Sequence, residues 1–161
     1  MSTAYILNPP FLVVPEENDF ADMWEAFCCK MLQLAQYDSK VYRRSPPESG
    51  VDLYDPSWNI AYQCKSVESG KSGDFRPDAV IESIRDALKV QQDLNWKSYV
   101  ICVNVNPTGT AESKIKAAFP NLYLMIYGKS YWVHLCERFS NEVIRNFRKI
   151  QDINQNIDPS M

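Results

Sequence analysis

What the chain has little of narrows it first. In 161 residues there are five glycines and one histidine. Glycine scarcity, with no low-complexity tract and no internal repeat, argues against a linker or a solenoid and for one ordered domain. No apolar run approaches the ~18 residues that would span a bilayer. The segment MSTAYILNPPFLVVPEEN lacks a basic leader and has prolines within its apolar part, so it does not read as a signal peptide. Positive charge is not in excess either. Lys and Arg total 17 against 20 Asp and Glu, a net charge of −3, which argues against a strongly basic nucleic-acid binder and leaves room for acidic metal ligands with local basic patches. The five cysteines, Cys28, Cys29, Cys64, Cys102 and Cys136, are odd in number and form no Cys-x-x-Cys. They sit in apolar patterns and read as reduced core residues of a cytoplasmic protein, with a cysteine-rich metal site not expected.

What is abundant is core. Hydrophobic residues make up 45% of the chain. Asn18 or Asp19 is placed to cap a helix reaching about Gln36, whose Phe20, Met23, Trp24, Phe27, Met31 and Leu34 recur at three and four residues. A short strand over residues 40–43 and a Pro-rich loop lead into SGVDLYDPSWNIAYQCK, a hairpin turning at Pro56–Asn59. A flexible polar loop follows. A helix from Pro77 to about Leu94, the buried strand SYVICVNVN, a helix over residues 111–119, the strand LYLMIY and a last helix over residues 132–150 complete the pattern. Residues 1–150 are expected to form the domain and 151–161 a polar tail or linker stub. Strands joined by helical crossovers should be parallel, so the fold class is α/β, a mixed β-sheet flanked by helices on both faces.

The hairpin carries charge where burial is expected. Turning at Pro56–Asn59 pairs Asp55 with Ile60 and Leu53 with Tyr62, and sets Asp52 opposite Gln63. Strand alternation then puts Val51, Leu53, Ile60, Tyr62 and Cys64 on one face. Asp52, Ala61, Gln63 and Lys65 fall on the other. An acid and an amide oxygen at that spacing are able to share Mg²⁺, with Lys65 beside them to orient a water or a phosphate. By pattern alone the face is equally that of a surface hairpin with an ordinary Asp52–Lys65 ion pair. Glu25, at the edge of the first helix's apolar arc, reads on its own more readily as a solvated glutamate than as a ligand.

An acid on a first helix, then Gly-x-Asp, then Gln-x-Lys on the next strand, then an amphipathic crossover helix: this series, carried by WEAF, SGVDLY and IAYQCK, resembles the PD-(D/E)xK nuclease superfamily. The Gln-x-Lys form resembles its Mrr-like restriction-endonuclease branch, which also supplies nuclease domains to anti-phage defence proteins. The resemblance runs from Phe20 to Ile126 by order of elements and implies a restriction-endonuclease-like sheet and a Mg²⁺-dependent endonuclease acting on DNA rather than RNA, with Mn²⁺ able to substitute. It implies Asp52 as the main metal ligand and Gln63 as a ligand through its side-chain oxygen. The Cys64 carbonyl would add a further ligand, Glu25 would bind directly or through water, and Lys65 would hold the nucleophilic water or the scissile phosphate. Gln63 stands where most members carry an acid, which leaves the site one charge poorer. Specificity would come from loops, from a homodimer or higher oligomer, or from a further domain or partner protein. The competing expectation is a non-catalytic nucleic-acid-binding or assembly module that retains the fold.

Overall fold

The computed structural model describes residues 19–36 and 38–146. Asp19 opens the first helix: its carboxylate accepts from the Asp22 N–H at 2.8 Å, satisfying one of the donors left over at a helix start. Helix α1 runs Phe20–Ala35, and strands β1 (Tyr42–Arg43), β2 (Leu53–Asp55) and β3 (Ile60–Lys65) follow. Then come α2 (Pro77–Lys89), the short α3 (Gln91–Leu94), β4 (Ser98–Val103), α4 (Gly109–Ala118) and β5 (Tyr123–Tyr127). The last helical segment breaks into α5 (Lys129–Arg138) and α6 (Ser140–Asn146), where the sequence pattern suggests one helix. The expected tail and the end of the expected last helix, residues 147–150, lie outside the described residues.

The five strands stand in the order β1-β2-β3-β4-β5. The first three are antiparallel neighbours and the last three parallel ones. Right-handed crossovers stepping the same way across a sheet put their helices on one face. Accordingly α2 and α4 share a face, burying Val80, Ile84 and Ile115 with Ala61, Tyr99, Ile101 and Val103. The opposite face is covered by α1, α5 and α6, where Trp24, Phe27 and Trp132 meet Leu53, Tyr62, Val100 and Cys102. The chain is thus a mixed α/β sheet between two helical layers, as its pattern indicates. Among the described residues no helix is long and apolar enough to cross a membrane.

The hairpin turn is built by Asp55, whose buried carboxylate accepts from the Ser57 N–H at 2.9 Å and from the Ser39 hydroxyl at 3.1 Å. Asn59 closes the turn at φ +55°, a conformation asparagine tolerates well. The register matches expectation for Asp55–Ile60 and Leu53–Tyr62. Beyond Leu53 it departs. Asp52 donates its N–H to the Tyr62 carbonyl at 2.8 Å. Asp52 and Leu53 therefore both face Tyr62, the two-against-one count of a β-bulge. The alternation slips, and Val51 packs with Tyr54 and Ala61 on the α2 side rather than with Leu53. The loop after β3 is less free than its composition suggests. Asn104, fully buried, accepts from the Val67 N–H at 2.6 Å and donates to the Val67 carbonyl at 2.9 Å, and Val67 and Phe75 are buried.

Candidate active site

The bulge decides where Asp52 points. Released from the ladder, its carboxylate accepts from the Cys64 N–H at 2.7 Å, a donor that β2 no longer reaches. The Asp52 side chain thus lies in line with the sheet beside the end of β3, not opposite Gln63 as regular alternation requires. A strand residue's N–H and C=O leave on the same edge, so the Cys64 carbonyl also faces the Asp52 side. Burial holds the Asp52 carboxyl above its usual range, and Glu48 adds to that. The Cys64 N–H, Lys65 and Arg44 oppose it.

Glu25 reaches the same region from α1. Burial first, then the charge of Asp52, push its carboxyl up to about 7, although Arg43 donates to it at 3.2 Å. Glu48 raises it further. Glu48 is the acid that the sequence reading missed. It influences both Glu25 and Asp52 from the loop between β1 and β2, and its position two residues before Gly50 in PPESGVD was the available signal.

Gln63 is 1% exposed, on the α2 face of β3. Its partner is Tyr99, a second residue the sequence did not single out: a lone tyrosine in an apolar strand shows its need for a partner only once buried. The Tyr99 hydroxyl donates to the Gly50 carbonyl, so its one proton is spent. It is left to accept, and Gln63 Nε2 donates to it at 2.6 Å. That relay fixes the amide's orientation and leaves Oε1 buried with no partner among the described residues. Burial, and after it the charge of Asp52, hold the Tyr99 hydroxyl above its ordinary value.

Lys65 is half-buried at the end of β3 and lines a cleft of about 200 Å³ with Ser66, Asp74, Phe75, Arg76 and Ala79. No ion pair closes on it among the described residues, although it lowers the Asp52 carboxyl from a distance. Arg76 therefore joins the site's neighbourhood. Arg44 also lowers the Asp52 carboxyl, while its guanidinium donates to the Glu48 and Val51 carbonyls, where it shapes the loop that carries Glu48 and Asp52. His134 is exposed on α5. Trp58 lies at the exposed hairpin turn, while Trp96 and Tyr62 are core.

The candidate donors around the end of β3 are oxygens: the carboxylates of Asp52 and Glu25, which act on one another's charge, the Cys64 carbonyl on the Asp52 edge, and the unpartnered Gln63 Oε1 on the α2 face. Hard divalent cations choose oxygen donors of this kind, and a buried orphan acceptor and carboxyls raised by burial are features that a bound cation would relieve. By donor type these residues are of the kind that Mg²⁺, the group the resemblance implies, takes. Comparison of the chain with protein-family models, with curated proteins and with solved structures finds no match.

Proposed function

We propose that the chain is a Mg²⁺-dependent endonuclease of the restriction-endonuclease-like, PD-(D/E)xK kind, hydrolysing DNA phosphodiesters in the cytoplasm as a restriction-type or defence effector nuclease. The observation that carries this reading is the buried, oriented and unpartnered Oε1 of Gln63, adjoining a relay that senses Asp52. An uncompensated buried acceptor costs ~1–3 kcal/mol, a cost that persists in a native core chiefly where a ligand relieves it. Asp52, Glu25, Gln63 Oε1 and the Cys64 carbonyl would hold the cation, which when bound supplies positive charge and a more acidic water. Around it the chain's own groups divide the work. The Cys64 N–H orients Asp52, Tyr99 aims Gln63, and Arg43 steadies Glu25. Lys65 faces an open cleft and is placed to meet the negative charge that grows on a phosphate during attack, an interaction stronger in the transition state than in the ground state.

The test is plasmid nicking with Mg²⁺ or Mn²⁺ and an EDTA control. Asp52→Asn keeps an acceptor for the Cys64 N–H but removes the charge, so it should stay folded and lose cleavage. Lys65→Ala should lose about 10²–10³ in rate while keeping metal affinity. No cleavage of any DNA by folded, metal-loaded protein would overturn the reading in favour of a binding module. Wild-type activity in Asp52→Asn would remove Asp52 from the site.

A further inference from the structure

Behind the proposed active site, on the face covered by α1, three thiols converge from three elements. Cys64 and Cys102 are Cα partners in the parallel β3–β4 ladder, so their side chains stand side by side. Cys28 comes down onto them from α1. The three Sγ atoms lie within 4.8 Å of one another. Cys28 and Cys102 are fully buried, Cys64 is half-buried, and none is in a disulfide. Most buried cysteines act as small apolar residues, and Cys29 and Cys136, which join no such cluster, fit that description. A convergence of three sulfurs from separate elements is a different arrangement.

We propose that Cys28, Cys64 and Cys102 form a three-sulfur site for one soft monovalent cation, Cu(I). A metal–sulfur bond of about 2.3 Å places the sulfurs of a trigonal site roughly 4 Å apart, so modest side-chain rotations close the set. Thiolates select soft ions over Mg²⁺ or Ca²⁺, which keeps this site chemically separate from the oxygen donors of the proposed active site. The coordination number favours Cu(I) over Zn²⁺. Zinc takes a fourth ligand, from protein or water. Among the described residues no imidazole, carboxylate or further thiol joins the three sulfurs, and they lie in a cluster with Trp24, Phe27, Leu53 and Trp132, where a bound water finds few polar partners. Cu(I) completes its shell with three sulfurs. No electron moves on binding: the ion stays Cu(I), three Cu–S bonds form, and each ligating thiol gives its proton to solvent. The site goes beyond the nuclease reading and does not depend on it. The two meet at one residue, since the peptide N–H of Cys64 holds Asp52 while its side chain packs on the α1 side.

The experiment titrates the reduced full chain, without oxygen, with the Cu(I)–bicinchoninate complex and reads loss of the chelator's colour. One equivalent should transfer per chain, and X-ray absorption of the loaded wild type should give three sulfurs at about 2.3 Å and no nitrogen or oxygen shell. Cys28→Ser, Cys64→Ser and Cys102→Ser should each weaken capture by at least about 10-fold. Cys29→Ser and Cys136→Ser should leave it unchanged. Circular dichroism checks that each variant folds, and the wild-type absorption spectrum decides the matter for any that does not. Failure to compete with the chelator, a nitrogen or oxygen shell, or capture that depends on Cys29 or Cys136 would overturn the proposal. No nuclease assay enters, so failure here and failure of the nuclease reading are separate results.

Discussion

Gln63 shows how one atom distinguishes a structural role from the proposed ligand role. Its Nε2 is satisfied by Tyr99 and its Oε1 is not. Replacing the amide tests which half matters. Gln63→Glu supplies a charged oxygen where the neutral one stands and should retain or raise Mn²⁺ affinity. Gln63→Ala removes the ligand and should lower affinity by about 10-fold, in line with the loss of one contributing group around a metal. Calorimetric titration of the three proteins measures this. Equal Mn²⁺ binding by all of them would leave Oε1 without a ligand role. The identity of Gln63 and Lys65 as a polar pair in an apolar strand is legible in IAYQCK. The relay from Gly50 through Tyr99 is not, because it links residues 49 positions apart.

At the scale of elements, the loop from Pro46 to Asp52 matters most, because it delivers both Glu48 and Asp52. Its anchor is Gly50, at φ +80°, pressed so closely on α2 that a Cβ there would stand 2.0 Å from the Ser83 carbonyl oxygen. The obstacle is helix backbone, which has little room to yield. Gly50→Ala should therefore destabilise the fold by about 3 kcal/mol or more, adding backbone strain to steric overlap. Gly109 is the contrast: it begins α4 with open space around it. Gly109→Ala should be neutral or stabilising by up to about 1 kcal/mol. Urea denaturation of the two variants makes the comparison, and similar losses in both would show that Gly50 is not an anchor. Among the strands, alternation held where the ladder is regular and failed at Asp52, where one inserted residue turns Val51 to the other face. A bulge leaves no mark in a two-residue period, since it is selected by what the neighbouring strand and helix have room for.

For the whole molecule, the clustered acids make stability depend on pH and on cations together. Glu25 has a folded value of about 7 against an ordinary 4.5. An acid raised on folding binds more protons folded than unfolded. Its contribution is therefore complete below about pH 4.5 and is lost as pH rises through about 7. Asp52 is raised too and acts in the same direction. With EDTA present, melting temperature should fall over that interval, and Glu25→Gln should flatten the slope. Mn²⁺ should stabilise more at about pH 8, where Glu25 is ionised, than at about pH 6, because ligation requires the deprotonated form. Melts at the two pH values with and without Mn²⁺ check this. Stabilisation that is the same at both, or unchanged in Glu25→Gln, would separate Glu25 from the cation.

By itself the amino-acid sequence determined the elements and their class. Apolar spacing marks α1 and α2, continuous apolar runs mark β4 and β5, and turn chemistry marks the hairpin, because these signals depend on neighbours a few residues away. It also determined which polar residues enter the sheet. Only the tertiary structure decided how they meet. Asp52 moved from a cross-strand position to the edge of β3 beyond β2, Gln63 was tied to Tyr99, and Arg44 turned to the loop's carbonyls. The thiols show the same division. Cys28, Cys64 and Cys102 are isolated in sequence and adjacent in space because a parallel register sets two of them side by side and the packing angle of α1 sets the third above. Register and packing angle come from contacts across long separations, and no local spacing encodes them.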